Sequence, residues 1–392
     1  MSMVGSPASP AVSPARVTRS RRGRLWTLVT AALAVVAVVV LAELPYIVFS
    51  STTNLLVNVF ILIIMASMWN LLAGYAGLVS VGQQAFIGLG AYFVLILAQH
   101  GVNAFVALPI AVLGCAVLAF PVWWLVSRLR TAYFAIATWV VASVCYLLIV
   151  RFPSLGGGTG MSLPGLDTMN GKLLTADTYW AALIVTVAVV AAVYLILRSR
   201  TGLVLTAIRD DETGARSAGA RVGGARRLVF VIAGAGCGAA GTLLIISQLN
   251  VEPAAAFSVS WSAQMIFATI IGGIGTIEGP IIGAIIFYVL QQTLQSQGTW
   301  YFIILGLVAV AVAIWARRGL WGLVADRLNL RIFAVGYHLW PRPGTPPMAG
   351  TPGAPPGNPG APPGNPGAPP GTPGAPPGNP GAAPGDPTRR RS

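Results

Sequence analysis

The chain has 392 residues, 55% of them apolar and only 9% charged, whereas a soluble domain carries about 25% charged residues. That composition, with a mean hydropathy of +0.76, excludes an ordinary water-facing globule and predicts an all-α polytopic membrane protein. The net charge of +14 comes without a basic patch bearing nucleic-acid-binding motifs, which excludes nucleic acid as its cause and leaves membrane topology and a lipid surface.

Residues 1–24 are rich in Ser, Pro and Arg, with Arg16, Arg19, Arg21, Arg22 and Arg24 ahead of the first apolar run; they are predicted to be a disordered basic segment. The run at 25–42 exceeds the roughly 7–15 residues of a signal-peptide core and is predicted to be a retained span. Further runs follow at 54–73, 81–99, 104–126, 131–150, 179–197, 228–248, 261–277, 279–297 and 299–316, most close to the ~20 residues a crossing needs. About ten transmembrane helices place both termini in the cytoplasm. Only Arg151 and Lys172, of 24 basic residues, then fall outside, as the positive-inside tendency predicts. The outer segment 151–178 is rich in Gly and Pro and is expected to lack a regular helix. A transmembrane domain thus covers 25–340, with a charged loop at 198–227. From Pro341 a seven-residue repeat resembling GAPPGNP dominates the tail 341–392, which is expected to stay disordered. Cys115, Cys145 and Cys237 all lie in apolar runs and read as small hydrophobes.

Two glycine-rich segments interrupt the apolar pattern. The first, Gly74 to Tyr92, reads GYAGLVSVGQQAFIGLGAY; the second, Ile271 to Ala284, reads IGGIGTIEGPIIGA. Glycines in apolar surroundings allow close helix approach or a broken helix. Plain packing would account for either segment alone, but Ser80, Gln83 and Gln84 weaken that reading. Uncharged polar groups at membrane depth are costly unless they are paired or line a wet path. Ser80, Gln83, Gln84 and Phe86, with Gly272, Gly273 and Glu278, are therefore candidates for a translocation path. Pro280 suits the first turn of a following helix, and the two segments read as related halves of one pathway.

The stretch from Arg198 to Arg227 holds seven arginines and three acids. Asp210, Asp211 and Glu212 near a helix start, with arginines further on, suit the helix dipole. Ala207, Ile208, Ala215 and Ala218 are spaced for one narrow apolar face. The stretch reads as a docking surface for a cytoplasmic partner, against the alternative of a solvated loop that only obeys the charge rule.

Absences narrow the chemistry. Lys172 is the sole lysine and lies outside any GxxxxGK[ST] phosphate loop, so ATP is not bound that way. His100 and His338, the two histidines, fall on opposite sides of the membrane, which argues against a metal or catalytic triad. No charged residue lies deep in a predicted span, which argues against an ion-coupled carrier.

These motifs, together with RTAYFAIAT at Arg130–Thr138, GGGTGMSLP and SRTGLVLTAIRDDETGARSAGA, resemble the permease subunits of branched-chain amino acid ABC importers, LivM type, over roughly Asn54 to Ala316. Urea and short-amide permeases share the same signatures. The resemblance implies a second, LivH-like permease subunit, two cytoplasmic ABC ATPase subunits that bind ATP and magnesium, and an extracytoplasmic solute-binding protein. It implies no cofactor and no catalytic residues in this chain. By the family pattern Glu212 through Gly219 carries the ATPase contact, so Ala207, Ile208, Asp211, Glu212, Ala215 and Gly219 are the coupling candidates. Gly214 replaces the first alanine of the usual Glu-x-Ala-Ala, which costs about 1 kcal/mol of helix propensity and predicts a short or frayed helix. Gln83 stands where many relatives have His. A stand-alone carrier or channel, and a membrane scaffold, are the competing classes; the buried glutamines count against a scaffold.

Overall fold

A chain in hydrocarbon must satisfy its backbone internally, which makes apolar runs helical. The computed structural model describes residues 17–19, 24–47, 50–129, 131–165, 171–294, 300–315, 319–328 and 337–339. The remainder of segment 1–24, Arg130 and the tail 341–392 lie outside the described residues. In chain order the helices are α1 (Arg24–Ile47), α2 (Ser50–Asn70), α3 (Gln84–Gln99), α4 (Ala104–Val126), α5 (Thr131–Val150) and α6 (Gly171–Arg198). Then come α7 (Arg200–Asp210), α8 (Glu212–Ser217), α9 (Val222–Gln248), α10 (Pro253–Ala256), α11 (Val259–Gly272), α12 (Glu278–Leu294), α13 (Trp300–Trp315) and α14 (Gly319–Leu328). Two short antiparallel ladders complete the list: β1 (Val17–Arg19) with β4 (Tyr337–Leu339), and β2 (Met161–Ser162) with β3 (Asn250–Val251).

The molecule is an all-α polytopic membrane protein. Six helical stretches among the described residues are long and apolar enough to cross a membrane: 51–75, 104–126, 132–150, 171–198, 222–248 and 253–272. The other four predicted runs fall on α1, α3, α12 and α13; the last three have 16, 17 and 16 residues. Three boundaries differ from the sequence reading. α6 starts at Gly171 and takes in Lys172 and Asp177, so only 151–165 of the described outer segment is irregular. α3 starts at Gln84 because Ser80 to Gln83 turn rather than coil. The run 261–277 begins earlier, at α10, and stops at Gly272, where Gly273 (φ 128°) and Gly275 (φ 78°) take conformations closed to other residues.

Helices α2 and α9 form the centre. In their apolar windows 78% and 83% of residues are buried, against 17% in α5, which leaves α5 facing outward. α9 packs on α3, α4 and α2. Its small residues allow this: a Cβ on Gly90 of α3 would collide with the Gly238 carbonyl of α9. Gly90→Val should therefore destabilise by about 3 kcal/mol through forced separation. Gly171→Ala, with open space around it, should not lower the thermal midpoint. Unfolding scans of both variants in detergent check the pair.

α1 is tied on by a helix defect. Pro45 has no N–H, so the Leu41 carbonyl lacks its helical donor. Tyr179 of α6 supplies one through its hydroxyl at 2.6 Å, and Trp180 Nε1 donates to the neighbouring Ala42 carbonyl at 3.1 Å. Cys115 and Cys237 are buried and Cys145 half-buried, all as free thiols.

Candidate functional site: a glycine gate wired to a charged loop

The last turn of α2 holds both glycine-rich segments. Leu71–Tyr75 form a π-helical turn, a widened coil frequent at functional sites. Trp69, just before it, donates from Nε1 to the Ser80 carbonyl at 2.9 Å. Asn70, the next residue, reaches the second segment: Nδ2 donates to the Thr276 carbonyl at 2.7 Å, and Oδ1 accepts from the Gly275 N–H at 2.8 Å. A Cβ on Gly74 would stand 2.7 Å from the Gly275 nitrogen, so the two segments touch backbone to backbone. The sequence reads them as related halves of one pathway; the geometry puts them in contact. It missed the residue that joins them: Asn70 is a lone amide in MASMWNLLAGY, and that polar intrusion was the available signal.

Ser80, Gln83 and Gln84 come together in the interior, each fully buried. Gln83 Nε2 donates to Ser80 Oγ at 3.3 Å, and Ser262 of α11 donates to Gln84 Oε1. The Val81 N–H donates to Thr138 Oγ1 of α5 at 3.3 Å. Among the described residues, Gln83 Oε1 and Gln84 Nε2 have no hydrogen-bond partner; a buried acceptor and donor left open in this way are rare. Phe86 is separate. It meets Phe230 edge to face, with centroids 5.9 Å apart, and belongs to the aromatic packing between α3 and α9. Gly272, Gly273 and Glu278 form the second turn, with Glu278 buried at the start of α12.

The charged loop folds as two helices, not one. Asp211 adopts an extended conformation between α7 and α8 and caps α8, its Oδ1 accepting from the Thr213 N–H at 2.9 Å. This break corrects the single apolar face expected from Ala207, Ile208, Ala215 and Ala218. Ile208 and Ala215 are buried in the core, while Ala207 and Ala218 are exposed. α8 has six residues and starts at the Asp211 cap. Gly214 has a local reason: a Cβ there would lie 2.6 Å from Asp211 Oδ2. Alanine would set about 1 kcal/mol of propensity against a cap of similar worth. Gly219 follows the helix at φ 81°, a left-handed position typical of the residue after a helix end.

Glu212 connects this loop to the paired glycine turns. Arg226 of α9 grips it with two bonds, Nη1 to Oε1 at 3.0 Å and Nη2 to Oε2 at 2.9 Å. The same guanidinium donates from Nε to the Ala76 carbonyl, at the end of the π turn, at 3.1 Å. Arg209, near the end of α7, lies against Gly275. Both glycine segments are thus in contact with the loop. The hydrogen bonds from Arg226, with help from Arg216, hold the Glu212 carboxyl below its ordinary value of 4.5. A lowered folded value means that the clamp is fully formed above 4.5 and lost as pH falls through the lowered value. Function that depends on this clamp should be flat from neutral pH down to about 5; a loss between pH 7 and 6 in a coupled ATPase assay would contradict it.

The chain is 29% identical over 314 residues to the high-affinity branched-chain amino acid transport system permease protein LivM of Escherichia coli (strain K12), covering 73% of this chain and 74% of the relative. Its Salmonella typhimurium counterpart is 26% identical with the same coverage. A fructose import permease protein, FrcC of Rhizobium meliloti, is 31% identical over 137 residues, 32% of this chain and 38% of its own. No solved structure matches the chain. Residues 51–316, which contain both glycine turns, the charged loop and the central helices, match the branched-chain amino acid transport system permease component family. The chain belongs to that family, as a multi-pass protein of the inner membrane and the permease component of an ABC transporter.

Proposed function

We propose that the chain translocates branched-chain amino acids as one permease half of an ATP-driven importer, with α8 as the contact for a cytoplasmic ATPase and the Asn70-linked glycine turns as the inner gate. The observation that carries this reading is the Glu212–Arg226–Ala76 chain of hydrogen bonds. It gives a displaced α8 a direct handle on the π turn. ATP and magnesium belong to the ATPase subunits. This chain's residues convert their movement into a shift of the gate beside Ser80, Gln83 and Gln84. The exposed outer side of α8, with Thr213, Gly214, Arg216 and Ser217, is free to meet the ATPase.

Ten crossings with both termini cytoplasmic put α7, α8 and the gate on the inner side, a topology supported by the distribution of arginines. A second permease subunit completes the translocation path and an extracytoplasmic binding protein delivers the solute. The test is co-purification with the adjacent operon products. A stoichiometric ATPase pair and ATP-driven leucine uptake in proteoliposomes are expected. Uptake driven by an ion gradient from this chain alone would replace the reading with a secondary carrier.

A further inference from the structure

A second polar feature lies at the far end of the bundle from the gate. A cavity of about 320 Å³ opens between α2, α9, α11 and α12, within the ~300–1,000 Å³ range of small-molecule sites. Its mouth carries side-chain amides: Asn58 of α2, Gln248 of α9, Gln264 of α11, and Gln291 and Gln292 of α12. Deeper along α2 and α9 the lining turns aliphatic, with Ile61, Leu62, Met65 and Leu244 all buried. Asn58 precedes Asn70 by twelve residues, which is about 18 Å of helix. The cavity is therefore separate from the gate, and none of the predicted path residues lines it.

The lining restricts the occupant. Among the described residues the lining has no Asp, Glu, Lys, Arg or His, so a solute with net charge finds no counter-ion there. Amides donate and accept, and so can meet an ammonium and a carboxylate together. The aliphatic depth takes an apolar end; a polyhydroxylated solute would strand hydroxyls there, at about 1–3 kcal/mol each. We infer that this cavity is an outer solute site of this chain for a small zwitterion with an aliphatic side chain. The inference rests on the importer reading for its direction, outward, and adds to it a site.

Thiol labelling tests it. The full chain, in its assembled transporter in right-side-out vesicles, carries Cys145→Ser and either Gln264→Cys or Gln291→Cys. Both cysteines should react with a membrane-impermeant methanethiosulfonate. L-Leucine at about ten times its half-protecting concentration should slow the reaction roughly tenfold, while L-lysine and D-fructose should not. Failure of both cysteines to label, as with a lipid chain or partner helix seated in the cavity, overturns the site. Labelling without protection by leucine, or with equal protection by lysine or fructose, overturns the solute class. Uptake separates the two readings: ATP-driven leucine uptake without protection removes only the cavity, and protection without uptake removes only the importer.

Discussion

Glu212→Gln is expected to cut ATP-driven leucine uptake by about tenfold or more while ATP hydrolysis by the assembled transporter continues. Charge-assisted bonds are worth about 1.5–3 kcal/mol each, and the Arg226 fork makes two to Glu212. The carboxylate is 39% exposed and Arg226 17%, so solvent screening brings the pair to about 2 kcal/mol. That still exceeds the 1.4 kcal/mol that corresponds to tenfold. The Arg216 bond to the same carboxylate is shorter, at 2.7 Å, but Arg216 is 64% exposed. Such a pair is worth under about 1 kcal/mol, and Arg216→Ala should change uptake little. The charge swap Glu212→Arg with Arg226→Glu is more telling. It restores the ion pair but leaves the Ala76 carbonyl without its donor. If the relay works as drawn, the swap stays uncoupled; recovery of uptake would show that the ion pair alone suffices.

Asn70→Ala is expected to cost about 2–6 kcal/mol, because it strands the Gly275 N–H and the Thr276 carbonyl, at about 1–3 kcal/mol per orphaned group. Asn70 is 1% exposed, which leaves little room for solvent to replace the lost bonds. A fall in thermal midpoint, with faster amide exchange confined first to residues 273–277, is the expected result. An unchanged midpoint in Asn70→Ala would refute the assigned contacts.

Most of the architecture was legible because hydrocarbon leaves the backbone few choices: each apolar run coincides with a helix over most of its length. The boundaries that slipped were set by tertiary partners. Residues 171–178 carry Lys172 and Asp177, polar enough to read as loop, yet α6 extends through them, and Tyr179 at their end bonds α1. At the charged loop, composition pointed to a docking surface, and the family resemblance pointed to Glu212, Gly214 and Gly219. It could not give the break at Asp211, where a side chain that suits a helix start also ends the preceding helix. Nor could it pair residue 226 with residue 76, since nothing local in either segment records the other. The outer amides were overlooked for a similar reason. Asn58, Gln248, Gln264 and Gln291 are polar residues on four separate helices, and only the fold collects them.

The seam between α3 and α9 bears on how force travels once Arg226 is pulled. Interdigitated side chains lock two helices in register, and moving one past the other means climbing over each knob. Where Gly90 rests on Gly238 there are no knobs to climb. Displacement of α9 along its own axis disturbs no rotamer at that contact, and small sliding of packed helices is a recognised route of domain motion. Arg226 lies one turn into α9, only four residues before Phe230, whose ring is wedged against Phe86, Trp123 and Phe134. The seam is thus smooth at its glycine contact and notched at Phe230, and a bulky residue at Gly90 would add a second notch.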